Sequence, residues 1–275
     1  MYRVDEIMSK KIYTINEIID YNICPRKYML IHVLGLECTN KGFKDQINEK
    51  YNDYAYSAIV KSFYYLFMKM KKQDDPIHID QFKKQFGNIY YKDLSAIDII
   101  GMETRSPGDL EPLFASSLNY AVETFYALNT TKWKPLIIDK EVQVEIGDFI
   151  VVDKIDAILE NKNGTNSIEI MKFSKSKIKN IDDMFVKNNF HLNFGRHVLR
   201  SLLDAQENRI SIVYPYKAHR QVISKPDDEY YKRFLDITEH TCENIQKEYY
   251  PAFVNKFKCD GCAYKAVCDN YRERI

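Results

Sequence analysis

Four cysteines stand at the two ends of this chain. Cys24 opens the segment Cys-Pro-Arg-Lys-Tyr, and Cys259, Cys262 and Cys268 form C-x2-C-x5-C near the C-terminus. Two thiolates two residues apart can face one metal centre. No histidine lies between Cys259 and the C-terminus, so a fourth ligand must come from elsewhere, and Cys24 is the best candidate. Four thiolates at irregular spacing suit a 4Fe–4S cubane. A four-cysteine zinc site and plain unligated thiols are the other two readings. A centre gripped from both termini would close the chain into a ring. Cys38 and Cys242 fall outside the pattern and read as ordinary buried thiols.

The elements that must carry these residues can be read from spacing. Thr14-Ile15-Asn16-Glu17 fits a capping box, predicting a short helix to about Asn22. Pro25 fits the first position of a second helix, where its missing N–H is not needed. Residues 45–72 lack Gly and Pro and read as one long buried helix, and 113–130 as another, with a mixed stretch over 73–112 between them. From Trp133 the character changes to short β-rich runs at 136–138, 142–146 and 149–152, with Gly147-Asp148 as a turn. A strand continues over 153–159, a turn follows at 161–164, and a further strand spans 167–173. Residues 181–206 read as helix, 209–214 as strand and 227–249 as helix. The order implies an α/β core with an N-terminal helical insertion.

Composition sets wide limits. The 275 residues are 45% hydrophobic and 29% charged, enough for a full core, and the net charge of +1 leaves any nucleic-acid surface to a local patch. No apolar run reaches the ~20 residues that cross a bilayer. The N-terminal Met-Tyr-Arg-Val-Asp-Glu lacks a signal-peptide core. The expectation is a soluble, cytoplasmic protein with no membrane partner. There, six cysteines point to metal ligands or free thiols rather than disulfides.

Cys24-Pro25-Arg26-Lys27-Tyr28, followed far downstream by Cys259-x2-Cys262-x-Tyr-x3-Cys268, resembles the iron–sulfur type of RecB-like PD-(D/E)XK nucleases. That group includes the CRISPR-associated RecB-like exonucleases and the AddB-like subunits of helicase–nucleases. The resemblance spans roughly residues 12–270. It implies a restriction-endonuclease-like core, with a central mixed sheet flanked by helices. The regions would be an N-terminal segment (1–30) with the first cluster cysteine, a helical region (31–132), the nuclease-fold core (133–250) and a C-terminal iron–sulfur segment (251–275). It also implies that the cluster fastens the two ends and plays no part in hydrolysis.

The same resemblance locates a catalytic centre. Such nucleases place two acids and a lysine around Mg or Mn, which activates water and neutralises the scissile phosphate. The acids are carboxylates because these cations prefer hard oxygen ligands. Val152-Asp153-Lys154-Ile155-Asp156 matches the G-x-x-D strand, with Asp156 as the metal carboxylate. In the next strand, Ile168 to Ser174, Lys172 stands where the second acid belongs and Ser174 where the lysine belongs. Glu169 points to the opposite face by strand alternation, and only a bulge would return it. Tyr56-x3-Val60 replaces the helical G-x3-H, and Asn193-x3-His197 is a loose match to Q-x-x-x-Y. One carboxylate facing one ammonium holds a dication poorly, and Lys172 could instead pair with Asp156.

A basic run at Lys172, Lys175, Lys177 and Lys179, with Arg196, Lys217, His219 and Arg220, offers phosphate contacts. Tyr214 and Tyr216 offer stacking surfaces. The reading is a DNA-binding or scaffolding subunit of a DNA-processing complex with a degenerate centre. Its partners would be single-stranded DNA or DNA ends, with a helicase or a CRISPR-adaptation complex as protein partner. The alternative is an active single-strand DNA exonuclease that requires Mg or Mn.

Overall fold

The computed structural model describes residues 11–36, 43–72, 77–94, 107–128, 133–161, 167–175, 182–215, 220–255 and 259–268. The first elements are β1 (Ile12–Thr14), α1 (Ile15–Ile23), α2 (Pro25–Tyr28), a π-helical turn (Met29–Val33), α3 (Phe43–Lys72), α4 (Ile79–Leu94) and α5 (Pro107–Leu128). There follow β2 (Trp133–Ile146), β3 (Phe149–Asn161), β4 (Ile168–Phe173), α6 (Asp183–Lys187) and α7 (Phe190–Leu203). The last are β5 (Arg209–Tyr214), β6 (Arg220–Ser224), α8 (Asp228–Gln246) and a 3-10 turn (Lys265–Val267). The fold is α/β, with a mixed six-stranded sheet ordered β1-β3-β4-β5-β6 and β2 paired to β3. The chain divides into two compact units, one of residues 1–41, 141–153 and 228–275, the other of 42–140 and 154–227.

The first unit gathers both termini. Its capping box forms as the sequence predicts: Glu17 N–H donates to Thr14 Oγ1 at 3.2 Å, and Thr14 N–H donates to the Glu17 carboxylate at 2.7 Å. Helix α1 then buries Ile15, Ile18 and Tyr21 along one face. Pro25 starts α2 after an extended Cys24. Strand β1 lies parallel to the first half of β3, from Ile12↔Ile150 to Thr14↔Val152. Gly147 turns β2 into β3 at a φ of +56, a conformation that suits glycine. Asn22 Nδ2 donates to Thr241 Oγ1 of α8 at 2.9 Å, and Tyr21 O–H donates to the Tyr249 carbonyl at 2.5 Å. Tyr28 stacks on His32 and on Tyr250, with centroids 4.7 and 6.0 Å away. These bonds, rather than sequence proximity, bring the two ends of the chain into one unit. Cys242 is buried here, and burial pushes its thiol up to about 12, so it stays protonated.

The second unit carries the larger core. Strand β3 pairs antiparallel with β4 (Ala157↔Met171), β4 parallel with β5 (Glu169↔Arg209), and β5 antiparallel with β6. Met171 and Phe173 of β4 join the core built with α3, α4 and α5. Phe63 and Phe82 lie 5.3 Å apart there, and Phe63 and Phe173 5.8 Å apart. Helix α4 forms inside the stretch read as mixed. Phe82, Phe86 and Tyr90 recur every four residues and bury one stripe, each such side chain contributing about 2–3 kcal/mol. Strand β6 is likewise an addition to the sequence reading. The helix read over 181–206 is two helices, because Asn189 is extended and caps α7 by accepting from Leu192 N–H at 3.0 Å. The short runs from 136 to 146 form one strand, β2, which carries Asp139 at a φ of +46 without ending. Among the described residues no helix is long and apolar enough to cross a membrane.

Helix α7 meets β4 through a glycine. A Cβ on Gly195 would lie 2.7 Å from Ile170 Cγ2, a branch atom that cannot swing away cheaply. Gly195→Ala should therefore lose about 1–3 kcal/mol by overpacking, read as a lower urea midpoint with an unchanged m-value. Equal or greater stability would show that this contact is looser than the distance implies.

Candidate functional site

Asp156 sits on β3 one residue before the β3–β4 ladder, which runs from Ala157↔Met171 to Glu160↔Ile168. Antiparallel register makes Lys172 its cross-strand neighbour. The carboxylate is enclosed by donors. Phe173 N–H donates to Oδ2 at 2.8 Å, Tyr64 O–H of α3 donates to Oδ1 at 2.9 Å, and Lys172 Nζ lies 3.4 Å from Oδ2. The Asp156 side chain is 8% exposed and that of Lys172 22%. A buried carboxylate without such partners would be costly. Both oxygens are therefore engaged by the protein itself.

The surroundings reinforce this. Burial, followed by the charge of Asp156 and its hydrogen bond, pushes the Tyr64 phenol far above its usual range. Burial and Asp156 also raise Tyr56. Both tyrosines are thus neutral hydroxyls, able to donate but not to act as bases near neutral pH. Lys154 pairs with Asp139 at 2.5 Å and lies 5.8 Å over the Tyr64 ring. Tyr64 is the member of this constellation that sequence reasoning missed. Its position in an aromatic helix marks it only as core, and nothing local signals that its hydroxyl meets a carboxylate 92 positions away.

Glu169 belongs to a different cluster. It is fully buried, accepting from Ser211 Oγ at 2.5 Å and Gln221 Nε2 at 3.0 Å, with Arg209 Nε 3.2 Å from Oε2. Its partners come from β5 and β6, whereas those of Asp156 come from α3 and β4. Glu169 thus lies apart from Asp156, as strand alternation implies, and no bulge returns it to that carboxylate. Ser174 donates its amide to the Val213 carbonyl at 2.9 Å, continuing the β4–β5 pairing.

Two proposed nucleic-acid contacts also change. Arg196 is fully buried, with Nε on Glu207 Oε1 at 2.6 Å and Nη1 on Asn193 Oδ1 at 3.1 Å and the Asp227 carbonyl at 2.8 Å. It is an interior cation neutralised by Glu207, which Arg200 also contacts at 2.8 Å, and it cannot reach a phosphate. Tyr214 is only 6% exposed and presents no ring face for a base. Lys175 is half-buried and ion-paired with Asp53. Lys177, Lys179, Tyr216, Lys217 and His219 lie outside the described residues, as does the side chain of Arg220.

The four end cysteines, by contrast, are brought together. Cys24, Cys259, Cys262 and Cys268 are free thiols, and all four line one cavity. Cys24 stands at the break between α1 and α2. The other three sit in a tight chain of turns, Cys259 N–H on the Asn255 carbonyl at 2.7 Å and Cys262 N–H on the Cys259 carbonyl at 3.1 Å. Tyr264 O–H donates to the Leu36 carbonyl at 2.9 Å, tying that segment to the N-terminal one. Arg26, Lys27 and Lys265 share the cavity wall. Arg26 Nε is buried without a hydrogen-bond partner among the described residues. No three His, Cys, Asp or Glu side chains among the described residues converge as closely as a single bound ion requires. Cys38 lies outside the described residues.

No family model and no curated protein matches the sequence. Two solved structures are similar over nearly their whole length. The crystal structure of SSO0001 shares 12% identity, covering 97% of this chain and 91% of that one, at a TM-score of 0.37. A protein described as "Putative exonuclease" from Eubacterium rectale shares 11%, covering 100% and 94%, at a TM-score of 0.46.

Glu169 gives this region a pH signature. Burial holds its carboxyl above the ordinary value of 4.5, more strongly than Ser211, Arg209 and Gln221 lower it. The folded chain then binds this proton more tightly than the unfolded one, so the contribution favours folding at low pH and fades as pH rises past the ordinary value. Glu169→Gln cannot titrate. Relative to the unaltered protein, its urea midpoint should shift upward between about pH 4.5 and about pH 7. A constant difference across that range would show that burial does not raise the Glu169 carboxyl in the folded chain.

Proposed function

We propose that this chain is a DNA-binding or scaffolding subunit built on a RecB-like PD-(D/E)XK fold, with a 4Fe–4S cluster and a remnant of the cleavage centre. One observation carries the loss of cleavage: the ammonium of Lys172 lies 3.4 Å from Asp156 Oδ2. A metal-dependent nuclease needs hard oxygen ligands around a divalent ion that activates water. Here the positive charge beside the carboxylate belongs to a side chain. Tyr64 O–H and Phe173 N–H take further acceptor positions on the same two oxygens. A dication would have to displace these donors and sit against an ammonium. Lys172 thus does for Asp156 electrostatically what a metal does in an active centre, but it brings no bound water.

The cysteine cavity suits a thiolate-ligated centre. Cys24, Cys259, Cys262 and Cys268 would hold the cluster, which would fasten the two terminal segments and serve no hydrolytic step. Ligated thiolates bring excess negative charge. Arg26, Lys27 and Lys265 on the wall offset it, and the unpartnered Arg26 Nε is a donor available to a cluster sulfur. Four-cysteine zinc is the other occupant this donor set admits. The partner on this reading is single-stranded DNA or a DNA end, within a helicase or CRISPR-adaptation type of complex.

Two measurements test the proposal. Protein purified without oxygen should be brown and carry about four irons and four acid-labile sulfides per chain, with both lost in Cys24→Ser. A colourless protein holding one zinc would reject the cluster. Incubated with Mg or Mn, the chain should leave end-labelled single-stranded DNA intact. Cleavage that disappears in Asp156→Ala would overturn the inactive-centre reading in favour of an exonuclease.

A further inference from the structure

We infer that the groove between α3 and α4 is a binding site for the sugar-phosphate backbone of single-stranded nucleic acid. The inference rests on the DNA-binding reading above and locates its contact surface. The groove is open to solvent, and its wall includes Tyr65, Lys69, Gln81, Lys84, Gln85 and Asn88. Two ammonium groups, three carboxamides and an aromatic ring face it, and no carboxylate does. Lys69 Nζ lies 5.7 Å over the Tyr65 ring. Among the described residues neither Lys69 nor Lys84 has a carboxylate partner. This contrasts with Lys154, Lys172 and Lys175, each of which is ion-paired.

The charge around the groove is local. Over 52–71 and 77–92 the described side chains include Lys69, Lys71, Lys83 and Lys84 besides Lys61 and Lys92, against the acids Asp53, which pairs with Lys175, and Asp80, in a chain whose net charge is only +1. Asp74 and Asp75 of the connecting segment lie outside the described residues. Such a patch concentrates polyanions. From Gln81 to Asn88 the wall runs about 10 Å along α4, longer than a single phosphate group. Lysines on the phosphates, carboxamides on sugar or base edges and a tyrosine face for stacking are the parts a single strand requires. An acidic peptide could also use the lysines and carboxamides, and competition by polyglutamate separates the two.

The test is fluorescence anisotropy of a labelled single-stranded oligonucleotide with the full chain, titrated at several salt concentrations. Neutralising two phosphate contacts in Lys69→Gln with Lys84→Gln should weaken binding and shrink the slope of log affinity against log salt by about 1.4. Lys84→Gln alone, at an exposed position, should shrink it by about 0.7 if the double variant fails to fold. Lys134→Gln, outside the groove, should leave the slope unchanged. Binding by the unaltered chain with no change of slope in the groove variants overturns this site and leaves the DNA-binding reading standing. No binding by the unaltered chain overturns both. Displacement of the oligonucleotide by polyglutamate at equal charge concentration overturns the nucleic-acid assignment of the groove.

Discussion

A carboxylate buried where two strands separate must be satisfied by whatever surrounds it, and the second unit is arranged around that demand. Asp156 lies at the end of the β3–β4 ladder, where the main chain no longer pairs regularly. Its side chain takes the Phe173 amide, Tyr64 reaches it from α3, and Lys172 sits opposite in register. Leaving either oxygen bare would cost several kcal/mol in a setting this dry. The aromatic packing of Phe63 and Tyr64 on Phe173 fixes the helix at the distance the phenol needs. The same contacts that build the core therefore hold the polar group in place. A buried ion pair of this kind need not add stability. It does determine which charge can occupy that position.

The interior of this unit uses several ionic groups in the same manner. Glu169 is held between Ser211, Gln221 and Arg209, and Glu207 between Arg196 and Arg200. Glu169 lies on β4, where main-chain groups are consumed by the ladder, and Glu207 lies in the connection between α7 and β5. Side chains supply the partners in both places, although Glu169 Oε2 has only the nearby Arg209 charge and no hydrogen bond among the described residues. The result is a set of charges that look in the sequence like ligands or phosphate contacts and are in fact internal.

The terminal unit solves a different problem. Its two ends are brought together by hydrogen bonds from α1 to α8, by the Tyr21 hydroxyl on the Tyr249 carbonyl, and by stacked aromatic rings around Tyr28. None of these needs an inorganic centre. Four thiols then line one cavity whose wall carries cations and one unpartnered guanidinium nitrogen. Packing thus assembles the donor set, and a bound centre would add a second fastening to an interface already made.

Local rules carried much of the reading. The capping box at Thr14, proline at the start of α2, the Gly147 turn and the strands on either side of it depend on a few neighbouring residues, and they were legible. The facing of Asp156 by Lys172 came instead from the motif resemblance, which put the two residues at the acid positions of neighbouring strands. The α4 stripe of Phe82, Phe86 and Tyr90 was present in the sequence but obscured by the surrounding punctuation. What no spacing revealed was burial. Arg196 and Tyr214 are of types that contact nucleic acid, and only the packing of α7 and β5 against their neighbours removed them from solvent. Tyr64 became a partner of Asp156 because α3 crosses β3 far from it in sequence. The sequence alone therefore determined the local caps and turns, which follow from short-range geometry, while the cysteine set and the acid–ammonium facing were read from motif resemblance. Tertiary structure decided which charges are interior, that a tyrosine completes the carboxylate's shell, and which lysines stay uncommitted beside a groove, since solvent access and long-range contact are properties of the packed chain.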